Sequence, residues 1–227
     1  MGVLATLSAL IFVLPNYTTT TVGPTYSANQ LVFVSVASLL LYGALVWAQT
    51  KSHKSYFESL EPSQMKSLEK ANYVPSKARA ILSFGMLLVS LVTVVGLAKL
   101  LSPAIEQGVA ALGAPRVVVG IVIALLVLAP ETLAAVNAAK VNQLQTSLNL
   151  ALGSGAASIA LTIPVVSIYS ISAGKDLSLG LDPKSTAFLV LTFLAASFTL
   201  GGGRATTLQG IVHLTIMAAY IALSFLP

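Results

Sequence analysis

The chain is built around apolar runs near 1–15, 30–48, 80–101, 117–139, 147–171, 185–203 and 205–226, parted by polar stretches that are mostly short. A helix needs about 20 mostly apolar residues to cross roughly 30 Å of hydrocarbon, so runs of this length predict membrane-spanning helices. The runs are continuous and rich in Ala, Leu, Gly and Ser, without the strict alternation that marks a membrane β-barrel strand. Composition points the same way: 56% of residues are hydrophobic and 8% charged, against about 25% charged in a soluble domain. The expected fold class is all-α, a polytopic transmembrane helical bundle.

The first run, 1–15, is about one turn short of a comfortable span. It has no basic leader and no cleavage site, so it reads as part of a helix and not as a signal peptide. The stretch from Thr50 to Arg79 differs in kind, holding Lys51, Lys54, Lys66, Lys70, Lys77 and Arg79 beside Glu58, Glu61 and Glu69. Threading the runs alternately through a bilayer puts 50–79, 140–146 and Arg204 on one side, with eight of the twelve Lys and Arg residues. The positive-inside rule makes that side cytoplasmic and leaves the C-terminus outside. The chain is expected to divide into two spans over 1–49, a charged cytoplasmic linker over 50–79, and a five-span block over 80–227. The net charge of +5 is accounted for by these loops, and no nucleic-acid partner is expected. With no cysteine, disulfides, thiolate metal sites and thiol redox chemistry are excluded.

Glu131 is the only acid that this reading places inside an apolar span, in GIVIALLVLAPETLAAVNAAK. A carboxylate at that depth needs a partner, a proton or a cation. Burial favours its protonated form and a bound cation its ionised form, so one group can exchange one for the other. Pro130 cannot donate to the carbonyl of Leu126, four residues back, and is expected to break the helix and free that carbonyl as a cation ligand. In the alternative, Pro130 is a kink and Glu131 caps the second half-helix. The next span opens NQLQTSLNLALGSGAASIALTIP, where Asn149, Ser154 and Ser158 offer hard oxygens and Gly153 and Gly155 permit close helix approach. For any one of these, helix packing is the stronger expectation. Asn149 is the best ligand candidate among them. His213, alone in the last span, is expected to make one interhelical hydrogen bond rather than relay protons. Gly201-Gly202-Gly203 before Arg204 lacks the P-loop spacing and reads as a tight turn, and the acceptor pattern Asn16-Tyr17-Thr18 is too short to carry weight.

The segment PETLAAVNAAKVNQLQTSLNLALGS resembles the second α-repeat of the calcium/cation exchanger superfamily, with agreement through Glu131, Asn142, Ser147, Leu148, Gly153 and Ser154. LPNYTTTT and the closing LQG, His213, AAY and LSF resemble bacterial calcium/proton antiporters of the ChaA type. Other branches of the superfamily carry Gly-Asn and Gln or Asn where this chain has Val127-Leu128 and Ala157. The resemblance implies a multi-pass protein of the bacterial inner membrane that exports Ca2+, or Na+ or K+, in exchange for H+. Glu131 would be the proton and cation carrier, with Asn149, Ser154 and the Leu126 carbonyl as further cation ligands. No cofactor is expected beyond the transported ions, and no enzymatic activity. The resemblance also implies that 1–49 is the end of a first repeat whose own acid is missing. The chain is then expected to be the C-terminal portion of a transporter, needing a first-repeat half in the same or another polypeptide. A different class of function stays open, a non-transporting membrane subunit or inactive half-transporter. A membrane hydrolase ranks last, since one acid and one distant His make a poor constellation.

Overall fold

The computed structural model describes residues 1–52, 76–115, 117–202 and 206–226. Most of the charged segment 50–79 falls outside these residues, as do Arg116 and the Gly203-Arg204 end of the glycine turn. The described residues are helical, with no strand beyond an isolated bridge between Thr25 and Ser178. The elements are α1 (Gly2–Ser8), α2 (Ala28–Trp47), α3 (Lys77–Ala111), α4 (Val117–Lys140), α5 (Leu144–Ala173), α6 (Pro183–Gly201) and α7 (Thr207–Phe225). A π-helical turn, Ala48–Ser52, continues α2. Six of these helices are long and apolar enough to cross a membrane, and α1 with its π and 3-10 continuation is a shorter apolar segment over Gly2–Tyr17. The polytopic helical bundle expected from the sequence is the fold found.

Local sequence explains where the helices begin and end. Ser27 and Gln30 form a reciprocal capping box at the start of α2, and Thr206 and Gln209 repeat it before α7. In each, a hydroxyl accepts from the third helical N–H while the Gln side chain accepts from the cap residue. Asp182 caps α6 by accepting from the Ser185 N–H at 3.1 Å. Hydrogen bonding, chiefly with the Ser185 side chain, holds its carboxyl below the usual carboxylate range. Three helices end on a left-handed residue: Gly113 after α3, Asn142 after α4 and Gly174 after α5. At Asn142 the following Gln143 N–H reaches back to the Ala138 carbonyl at 2.8 Å and Asn142 itself to Ala139 at 3.0 Å, which satisfies the last carbonyls of α4. Asn accepts this conformation where a β-branched residue does not. Asn142→Val is therefore expected to cost about 1–2 kcal/mol, lowering the midpoint of thermal unfolding in detergent, while Asn142→Gly leaves it unchanged or raises it.

The chain forms two compact units, one of Met1–Glu58 with Glu131–Tyr220 and the other of Ser59–Pro130 with Ile221–Pro227. In the first, α2 packs along α5, with α1 against both. The core joins Leu7, Ile11, Tyr26, Leu31 and Val34 to Ala156, Ala160 and Ile163 of α5. Between helices in a bilayer the driving force is close packing rather than removal from water, so the small residues at 156 and 160 are what let α2 approach.

In the second unit α3 runs 35 residues, about 52 Å at 1.5 Å per residue, longer than the roughly 30 Å hydrocarbon core. The span expected at 80–101 does not stop before Pro103: the helix loses one backbone bond there and continues to Ala111. Glu106 consequently rides on a span-length helix, so Glu131 is not the only acid carried by one. Most of the large apolar side chains of α3, such as Ile81 and Val92, are exposed, as befits a surface covered by a bilayer.

Candidate functional site

Two consecutive helices and α2 supply the site. A turn of only three residues parts Lys140 at the end of α4 from Leu144 at the start of α5. Glu131 stands nine residues before that end of α4, and the rest of the cavity it lines comes from the first turns of α5 and from α2 with its π-helical end. There Glu131, Asn149 and Ser154 line a single cavity of about 570 Å³. All three side chains are half-buried. The remaining wall is Thr146, Leu150, Gly153 and Ala157 of α5 and Tyr42, Leu45 and Gln49 from α2 and its π-helical end. The oxygens on offer are one carboxylate, two amides and three hydroxyls, a hard donor set. Among the described residues no three carboxylate, His or Cys side chains converge as a metal-binding group.

Other expected residues lie elsewhere. Leu126 is exposed and is not among the lining residues. The helix also runs unbroken through Pro130 from Val117 to Lys140, because the missing proline N–H removes one bond while flanking turns keep theirs. Ser158 is exposed and does not reach the cavity. Of the two glycines, Gly153 borders open space, whereas a side chain at Gly155 would meet Leu4 of α1 at an ordinary 3.8 Å. His213 Nε2 lies 3.0 Å from Thr199 Oγ1, and that hydroxyl already donates to the Ala195 carbonyl at 2.9 Å. The ring nitrogen must then be the donor, in one interhelical bond. Asn16 spends its amide on the Leu181 carbonyl at 2.6 Å.

Tyr42, Gln49 and Thr146 are cavity residues that sequence reasoning missed. Thr146 sits within the TSLN wording and was legible there. Tyr42 and Gln49 had only a weaker signal: with Leu45 they recur at a spacing that keeps them on one helix face.

The chain is similar to known transport proteins along its whole length. A family model described as sodium/calcium exchanger protein matches residues 82–226. The y4hA protein of Sinorhizobium fredii is 43% identical over 228 residues, covering all of this chain and 61% of its own length. The sodium-potassium/proton antiporter ChaA of Escherichia coli is 30% identical over 88% of this chain and 55% of its own length. A Ca(2+)/H(+) antiporter of Aphanothece halophytica is 24% identical over 97% of this chain and 60% of its own length. The chain thus spans somewhat over half the length of these relatives. No solved structure matches it. Six span-length helices and relatives of this kind make it a multi-pass protein of the inner membrane. Because the exchanger model covers most of the chain, including α4 with its acid Glu131 and α5, the protein belongs to the sodium/calcium exchanger family.

Proposed function

We propose that the chain provides one half of a cation/proton antiporter that exports Ca2+, and Na+ or K+ in competition with it, in exchange for H+. The observation that carries this reading is the shared cavity of Glu131, Asn149 and Ser154. An ionised carboxylate beside neutral oxygen donors holds a hard cation. A proton on the same carboxylate removes the charge that held it, so the two ions take the group in turn. Exposing the group alternately to the two membrane faces couples their flows in opposite directions.

Stoichiometry of ligands says what else is needed. Ca2+ takes 6–8 oxygens, and Glu131, Asn149 and Ser154 supply at most four, leaving one positive charge uncompensated. Water fills part of the shell. The remaining charge calls for a second acid, which we assign to a first-repeat half in the same polypeptide or another. On this reading 1–49 closes that first repeat, 50–79 is a cytoplasmic linker, and the five spans from 80 form the second.

The test is proton flux in everted vesicles carrying the whole transporter. Ca2+, Na+ or K+ added to a vesicle with an acid interior should collapse the pH gradient, in an order that ranks the cargo. If none of the three does so while the protein is present in the membrane, the chain is not part of an antiporter.

A further inference from the structure

We propose that Gln49 is a specificity-determining cation ligand at the mouth of the Glu131 cavity. It rests on Glu131 being the transport carboxylate, and it gives the two-span N-terminal segment a direct part in choosing the ion. The wall facing α5 is made by Tyr42, Leu45 and Gln49, three residues on one face of α2 and of the π-helical turn that ends it. Gln49 is half-buried and is the member of that face with an amide oxygen, the same hard neutral donor that Asn149 offers from across the cavity. π-Helical turns occur frequently at functional sites.

Depth along the helices separates mouth from floor. The lining of α5 runs from Thr146 in its first turn to Ala157, eleven residues or about 16 Å of helix, roughly half a hydrocarbon core. Glu131 lies nine residues from the end of α4, about 13 Å in from the same face. Gln49 stands between Trp47 and Lys51, residue types that sit at a membrane–water interface. That face is the cytoplasmic one by the positive-inside rule, the side from which an exporter loads. A cation entering there meets Gln49 and Thr146 before it reaches the acid. Neutral oxygens at that point replace part of its water shell. Because Ca2+ demands more oxygens than a monovalent ion, removing one at the mouth weakens Ca2+ more than Na+.

The chain contains no cysteine, so in a transporter whose other half is made cysteine-free Gln49→Cys and Asn149→Cys each create a single labelling site. Everted vesicles are treated with a membrane-impermeant thiol reagent, with and without Ca2+. At ten times its Kd, Ca2+ should slow modification at Gln49→Cys about tenfold by occupancy alone, and adding Glu131→Gln should abolish that protection. Transport by Gln49→Ala should show a raised KM for Ca2+ and a smaller change for Na+. Three results overturn the proposal while leaving Glu131 in its role. These are protection at Asn149→Cys with none at Gln49→Cys, no labelling at Gln49→Cys at all, or unchanged selectivity in Gln49→Ala. Absence of protection at both sites overturns the Glu131 reading and this proposal with it.

Discussion

Glu131→Gln is expected to abolish cation-driven proton movement while leaving the protein in the membrane at its normal level. Gln keeps the size of the side chain and its oxygen but loses the charge and the titratable proton, so both partners of the exchange lose their common group. Removing one member of a buried ion pair costs about 3–5 kcal/mol, and at 1.4 kcal/mol per decade this is a loss of cation affinity of two decades or more. The half-buried position of Glu131 puts the expected loss toward the lower end. Glu131→Asp, which retains the charge one methylene further back, should transport weakly and keep its pH dependence. Residual cation binding by Glu131→Gln should keep only the pH dependence of the second acid, losing the part that Glu131 supplies. If Glu131→Gln instead transports like the parent protein, the acid has only a structural part within α4 and the proton carrier lies elsewhere.

The core of this site was legible because its parts are neighbours in sequence. Glu131 and Asn149 sit on consecutive helices joined by a short turn at Asn142, and both line one cavity. An acid inside an apolar run, followed by a short turn and a helix start rich in small and polar residues, is a local pattern. The contribution of α2 was not local. Tyr42 and Gln49 precede Glu131 by more than eighty residues, and Gln49 opens a charged segment, where an amide is unremarkable. Nothing in the pattern of α2 says which helix its Tyr42–Gln49 face will meet. Pro130 was read as a place where the helix breaks, yet there, as at Pro103 in α3, proline removes a single N–H and the surrounding apolar sequence, with no water to compete for its backbone, keeps the helix going. The consequence for α3 is the larger, since Glu106 lies past the point at which the span was expected to end.

The least legible feature is the junction of two loops in the first unit, and it supports the second large prediction, that Gly180→Ala destabilises the protein. The Leu179 and Gly180 N–H groups donate to the Pro24 carbonyl at 3.0 and 3.4 Å, and Leu181 donates to Phe12 at 2.8 Å. Tyr26, whose phenol is pushed up by burial, donates to the Leu10 carbonyl at 2.6 Å. Backbone bonds of this kind leave no hydropathy signal, so they were not foreseen. Their close approach depends on position 180 having no side chain. A Cβ there would lie 2.0 Å from Asn16 Oδ1 and 2.5 Å from Pro24 Cβ. Moving Asn16 aside sacrifices its bond to the Leu181 carbonyl, and the Pro24 ring is stiff and tied by its own carbonyl to the same loop. Overpacking of this sort costs about 1–3 kcal/mol, and with no cheap relief the upper end is expected, a fall of roughly 4–12 °C in Tm for a chain this size. Asn16→Ala in the same protein should recover part of the loss, since it removes one of the two clashes and leaves Pro24 in place. Gly180 lies beyond the far end of α5, more than 20 residues from Ala157 at the limit of the cavity. The surviving folded protein should therefore keep its KM for the cation. A Gly180→Ala protein as stable as the parent would show that the two loops do not meet as closely as this, and a changed KM would show that they act on the cavity through α5.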